Sequence, residues 1–218
     1  KRRGKGMQQA RSGEGALRSL PATGGGFEIR RGLDPAAREA AAQLYWSAFA
    51  GKLGRVLGPE PRALDYLARV IRPDHCLCAL DCQGRLIGLA GFRSHLGGFA
   101  SGGFDDMCPV YGRAGALWRA CAFALLSREV ENARFLVDGL CVLPGMRGQG
   151  VGLALIGAIR AEARARGYGE VRLDVADVNP RARALYERAG FSACGSRRIG
   201  PLRHLFGFGS TTAMVCAA

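Results

Sequence analysis

The stretch "MRGQGVG", Met146 to Gly152, puts three glycines and one arginine into seven positions. It lies between the apolar run "FLVDGLCVL" and a helical pattern that carries Leu153, Ile156 and Ile159 on one face. Glycines at 148, 150 and 152 let a backbone turn tightly and approach a ligand with no Cβ in the way. At the start of a helix the first N–H groups lack intrahelical partners, and the helix dipole adds positive potential there. With the charge of Arg147 beside it, the stretch suits a phosphate or pyrophosphate. A glycine loop that only turns a corner has the same composition, so its neighbours must decide.

Two common phosphate loops fail on spacing. A Walker A loop needs Gly-Lys followed by Ser or Thr, and no lysine lies nearby. A dinucleotide fingerprint needs a third glycine where Leu153 stands, and the unit comes late in the chain. The spacing that fits is Arg-x-x-Gly-x-Gly, formed by Arg147, Gly150 and Gly152 directly after a strand ending "LCVLP". Further on, "NPRARALYERAGF", Asn179 to Phe191, opens a helix with Asn, holds a Tyr inside it and closes it with Gly-Phe. With these two motifs in this order, the chain resembles the GNAT superfamily of acyl-CoA-dependent N-acyltransferases from about residue 27 to the C-terminus. The resemblance implies a mixed α/β (α+β) GNAT fold: a mostly antiparallel twisted sheet, splayed where two central strands run parallel, with helices on its faces. The segment from 93 to 133 is longer than the usual core of that family.

The resemblance also implies roles. Backbone N–H groups of Arg147, Gly148, Gln149, Gly150, Val151 and Gly152 are expected to cradle the pyrophosphate of acetyl-CoA. The main chain of Leu140, Cys141 and Val142 is expected to pair with the pantetheine arm as an added strand would. Asn179 is expected to help hold that arm, and the Tyr186 hydroxyl to lie by the thioester sulfur.

Acetylating a primary amine sets three demands. An amine of pKa about 10.4 costs roughly 4 kcal/mol to deprotonate near pH 7.4, so the site needs a base or must desolvate the amine. The leaving thiolate needs a proton, which Tyr186 can give as general acid. The oxyanion needs preorganised donors, for which the Leu140–Val142 main chain is the candidate. For the base the first candidate is Asp138, which precedes Leu140 and Val142 by even steps and so is expected on their strand face. A structural carboxylate paired with an arginine is the alternative reading of it. Asp174 is the second choice, and His75, a lone histidine opening a strand, reads as structural. Tyr45, Trp46 and Phe49 are candidates to line the acceptor pocket or to fill the core. Asp105 and Asp106 read as a lure for a cationic amine or as a helix cap.

Composition narrows the class. The 218 residues suffice for one domain, preceded by a basic tail over 1–26 in which Met7 is a candidate start. The net charge is +13, yet only Lys1, Lys5 and Lys52 are lysines, and a GC-rich genome produces the same arginine, alanine and glycine bias. Nucleic-acid binding is therefore not expected. Eight cysteines without a CxxC pair argue against zinc and for a reducing, cytoplasmic setting, and no span for a membrane is visible. The expectation is an acetyl-CoA-dependent N-acetyltransferase working without metal on a primary amine by direct attack in a ternary complex, with the lengthened middle segment pointing to a small-molecule acceptor; a homodimer is compatible with it. A non-catalytic acyl-CoA sensor or nucleic-acid-associated module on the same fold is the rival.

Along the chain the reading places a strand at "FEIRRG", a helix from Asp34 to about Phe49 and a second helix over "GPEPRALDYLARVI". A hairpin turns at "CQGR", and a glycine-rich loop lacking regular structure runs over Arg93 to Phe104. A third helix follows from about Val110, then the strand, glycine loop, helix, strand and helix of the two motifs, and two closing strands near "FSACGS" and "TTAMVC".

Overall fold

Local chemistry sets the strand ends. At the "CQGR" turn the Asp81 carboxylate accepts from the N–H groups of Gln83 and Arg85, both at 2.9 Å, and Gly84 takes φ +75°. The computed structural model describes residues 19–20, 26–126 and 134–218. In chain order these form β1 (Ser19–Leu20), β2 (Phe27–Arg31), α1 (Arg38–Leu57), α2 (Glu60–Val70), β3 (Cys76–Asp81), β4 (Leu86–Ser94), β5 (Gly97–Gly98) and α3 (Phe104–Leu126). Then come β6 (Phe135–Val142), α4 (Val151–Ala165), β7 (Glu170–Ala176), α5 (Pro180–Arg188), β8 (Ser192–Arg198), α6 (Arg203–Phe206) and β9 (Ser210–Ala217). The remainder of the basic tail, and residues 127–133 of the long middle segment, lie outside the described residues. Among those described, no helix is long and apolar enough to cross a membrane.

The strands form one sheet in the order β1-β2-β3-β4-β6-β7-β9-β8, with β5 folded back onto β4. Only β6 and β7 run parallel, and their ladder holds two pairs, Phe135↔Val171 and Leu136↔Arg172. Beyond them β6 stays paired with β4 as far as Val142, and β7 with β9 as far as Ala176. The two central strands thus part company, and one edge of β6 is left unpaired from Val137 onward.

Helices α4 and α5 cover one face of the sheet over a core that includes Phe135, Leu155, Ile159, Leu173 and Tyr186. Helices α1, α2 and α3 cover the other over Leu57, Leu67, Phe99 and Met107. A smaller third core, with Val56, Ala176, Phe206 and Phe208, ties the end of α1 to the segment between β8 and β9.

Three sequence expectations need correction. Helix α1 runs past Phe49 to Leu57, because burial of Val56 and Leu57 outweighs the modest helix cost of Gly51 and Gly54. Helix α3 begins at Phe104 instead of Val110, where Asp106 accepts from the Gly103 N–H at 2.7 Å and so caps it; the helix then kinks at Gly112, φ +69°. The first half of the glycine-rich segment is a hairpin, with Arg93 and Ser94 paired to Gly98 and Gly97, and only residues 101–103 lack regular structure. A Cβ on Gly91 would lie 2.6 Å from the Phe99 ring, and one on Gly98 would lie 2.9 Å from the Asp138 carboxylate. Those glycines permit close packing instead of mobility.

Candidate active site

The loop between β6 and α4 is built around its glycines. Pro144 opens a single tight turn in which the Met146 N–H reaches the Leu143 carbonyl at 2.9 Å and the Arg147 N–H reaches that of Pro144 at 3.3 Å. Gly148 and Gly150 then sit at φ +79° and +85°, in the left-handed region that favours glycine, and a Cβ on either would meet open space. The first intrahelical bond of α4 runs from the Ala154 N–H to the Gly150 carbonyl at 3.0 Å, so the N–H groups of Val151, Gly152 and Leu153 have no helical acceptor. Two details differ from the sequence reading. The Arg147 N–H is already spent on Pro144, and the Arg147 side chain bonds the Val142 carbonyl at 3.2 Å. Gly152 serves packing, since its Cβ would stand 3.1 Å from Leu185. The donors without an intrahelical partner therefore run from Gly148 to Leu153, at the positive end of a fifteen-residue helix.

Strand β6 carries a bulge at the point where the sheet splays. Gly91 of β4 faces Gly139, whereas the next residue, Phe92, faces Val137, so Asp138 is the extra residue. The bulge resets the alternation. Val137, Leu140 and Val142 pack into the α4–α5 core, whereas Cys141 packs on the opposite side, where Gly139 abuts Tyr45 and Phe49. Asp138 faces that opposite side too, against Arg93 and Phe99. The expected common face of Asp138, Leu140 and Val142 is therefore wrong, because even-step counting fails across an inserted residue. Both carboxylate oxygens of Asp138 are engaged: Oδ1 accepts from Arg93 at 3.1 Å, and Oδ2 from the Phe99 N–H at 3.2 Å. This carboxylate pins the β4–β5 hairpin to the bulge, and its side chain is 17 % exposed.

Helix α5 presents the second motif. Asn179 is its N-cap, with Oδ1 accepting from the Ala182 N–H at 3.1 Å, and Pro180 occupies the first helical position. Tyr186, two turns on, is buried to 8 % exposure against Phe191 in the α4–α5 core. Burial pushes its phenol up to about 12, with Cys141 adding to the effect. Tyr186 is thus a firmly protonated hydroxyl on the α4–α5 side of the splay. Cys141, itself raised to about 12 by burial, donates to the Leu89 carbonyl at 3.6 Å and is a core thiol.

Helix α1 crosses the other side of the splay. Tyr45 and Trp46 are core residues, and Phe49 is partly buried against Gly139. One turn on, the Lys52 Nζ lies 5.8 Å from the ring centres of both Phe49 and Phe208. Asp174 of β7 shares the sheet face of Arg172, opposite the buried Val171 and Leu173, and its side chain is half exposed. His75 is fully buried, 3.0 Å from Asp74 and stacked near Phe92, remote from β7. Asp106 caps α3, and Asp105 lies beside it in the first turn. Sequence reading missed Arg93 and Lys52. The only hint of Lys52 was a lysine inside a chain that otherwise uses arginine.

A family model described as "Acetyltransferase (GNAT) family" matches residues 38–191. The streptothricin acetyltransferase of Streptomyces lavendulae is 38 % identical over 93 residues, which are 43 % of this chain and 49 % of the relative. The match thus spans about half of that relative's length. Among solved structures, an N-acetyltransferase from Staphylococcus aureus Mu50 superposes with TM-score 0.60 at 16 % identity, covering 86 % of this chain and 99 % of the other. A phosphinothricin acetyltransferase from Sinorhizobium meliloti, solved in complex with acetyl-CoA, gives TM-score 0.53 at 17 % identity over 88 % of each chain. These structural likenesses concern the fold.

Proposed function

The chain belongs to the acetyltransferase (GNAT) family, and from that premise we propose that it transfers acetyl from acetyl-CoA to a primary amine of a small cationic molecule by direct attack in a ternary complex. The observation that carries this reading is the splay. One unpaired strand edge, one helix N-terminus with free N–H groups and one buried protonated tyrosine converge where β6 leaves β7. The small-molecule class follows the partial match to streptothricin acetyltransferase.

In this reading the N–H groups from Gly148 to Leu153 take the pyrophosphate, and Gly148 and Gly150 fit it because no Cβ stands over them. The free edge of β6 from Leu140 to Val142 pairs with the pantetheine amides. Asn179 keeps its Nδ2 for the same arm while Oδ1 caps α5. Main-chain N–H groups at the β6 edge receive the charge developing on the carbonyl oxygen. Tyr186 delivers its proton to sulfur as the C–S bond breaks. With a phenol near 12 and a free thiol of about 8.5, that transfer stays uphill even onto the finished thiolate, so it is completed by the phenolate regaining a proton from water. Asp174, half exposed on the α1 side, receives the acceptor ammonium, whose proton then leaves to water.

Asp138 acts in this scheme as a clamp. Replacing it with Ala takes away the acid partner of Arg93 and one of the two acceptors of the Phe99 N–H, which keeps the Phe92 carbonyl at 3.1 Å, and stability should fall by about 1 kcal/mol in denaturant titration. Asp138→Asn should keep turnover within about tenfold, whereas loss of a general base costs about 10²–10⁴-fold. A loss of that size with an altered pH profile would restore Asp138 as the base. Asp174→Asn should chiefly raise KM for a cationic acceptor.

The reading is tested by offering a panel of small amines with acetyl-CoA, following free thiol and confirming acetylated products by mass. Thiol release with cationic amines is expected. Tight acetyl-CoA binding with no thiol released for any amine would make the protein a sensor instead.

A further inference from the structure

Lys52 is used by nothing in the scheme above. It is the one primary-amine side chain in the folded domain, since Lys1 and Lys5 lie in the tail. Its Nζ sits between the rings of Phe49 and Phe208, 5.8 Å from each centre, and no carboxylate stands within ion-pairing distance of it among the described residues. Position matters more than burial. Helix α1 spans the splay, with Phe49 touching Gly139 on β6 and Val56 joining Ala176 of β7 in the third core. Lys52 lies between these two contacts, one turn of α1 beyond the Phe49 ring that abuts Gly139.

Resting on the acetyl-transfer reading, we propose that Lys52 is an internal acceptor: with no other amine present, the enzyme acetylates its own Lys52 and thereby plugs the acceptor mouth. The Nζ lone pair attacks the thioester carbonyl carbon, the N–C bond forms, and the C–S bond breaks with its electron pair leaving on sulfur. One of the two protons of the neutral amine ends on that sulfur, giving CoA thiol and Nε-acetyl-lysine. No further reactant is needed. Desolvation by burial lowers the ammonium pKa against the opposing pull of Asp177 and of the two ring faces, which brings the neutral amine the step requires closer to hand than on a solvated lysine. Arginine, the basic residue chosen elsewhere, has no such neutral form near pH 7. Acetylation removes the charge and lengthens the side chain by an acyl group at the place where the acceptor must enter.

The experiment incubates the full chain with acetyl-CoA alone and maps acetylated peptides by mass against time, beside Tyr186→Phe and Lys52→Arg. Expected are one acetyl group on Lys52 of the wild type, at least about tenfold slower gain in Tyr186→Phe, and none at position 52 in Lys52→Arg, which should still bind acetyl-CoA by calorimetry. Lys52→Gln, a mimic of the acetylated side chain, should raise KM for the external amine. The proposal fails if Lys52 stays unmodified under conditions where the same preparation acetylates an external amine. It also fails if Lys52 gains acetyl equally fast in Tyr186→Phe, which would mark uncatalysed chemistry. Absence of both acetyl-CoA binding and amine turnover would instead sink the acetyl-transfer reading, and the proposal with it.

Discussion

Tyr186→Phe should cut turnover of an identified acceptor by about 10²–10⁴-fold while leaving acetyl-CoA affinity and the melting temperature nearly unchanged. The substitution keeps the ring that packs against Phe191 in the α4–α5 core and deletes only the hydroxyl. A loss of stability would therefore be a poor explanation of lost rate, and melting with and without acetyl-CoA checks it. The pH profile sharpens the test. The acid form of Tyr186 must be present for turnover, and burial holds its phenol up to about 12, so that form persists throughout the working range. The rate should rise with pH as the acceptor amine loses its proton and should show no descending limb near pH 10, where an ordinary tyrosine would ionise. Wild-type rates in Tyr186→Phe, with chemistry shown to be rate-limiting, would remove Tyr186 as the acid.

Gly150→Val should weaken acetyl-CoA binding by about tenfold or more in calorimetry, the equivalent of losing one charge-assisted hydrogen bond. No protein atom lies within 4 Å of a Cβ at Gly150, so a direct clash is not the cause. The cause is the backbone: at φ +85° a β-branched residue is strained by about 1–3 kcal/mol, and relief of that strain turns the N–H groups of the loop away from a common centre. Gly152→Val supplies the contrast. Its added carbons meet Leu185, so it should loosen α4 against α5 and lower stability first. Equal affinity in Gly150→Val and wild type would take the pyrophosphate site away from this loop.

The comparison of these two glycines shows how much of the site was legible beforehand. The Arg147-to-Gly152 spacing and the Asn179-to-Phe191 helix identify the family from sequence because each motif is local, set within one loop or one helix. What stayed hidden depends on partners distant in the chain. Whether Gly152 faces a ligand or Leu185 is decided by the packing of α4 on α5. The side of the sheet that Asp138 faces is decided by one inserted residue against β4, which period-two reading cannot register. Gly97, Gly98 and Gly102 read as loop because the reason for them, close approach of Arg72, of Asp138 and of Tyr66, lies in the fold. The turn and short helix from Gly200 to Phe206 escaped notice for lack of periodicity; Phe206, Leu202 and Leu205 in the third core and the bond from Arg55 to the His204 carbonyl hold them. Lys52 could be noted in the sequence as a rare lysine, but its place between Phe49 and Phe208 could not.

A crystal structure of the protein with acetyl-CoA tests the account most directly. The account predicts the pyrophosphate oxygens within about 2.7–3.2 Å of N–H groups between Gly148 and Leu153, the pantetheine amides paired with Leu140 to Val142, and the thioester sulfur within hydrogen-bonding reach of the Tyr186 hydroxyl. Acetyl-CoA bound outside the splay, or seated there with its sulfur turned away from Tyr186, would contradict it.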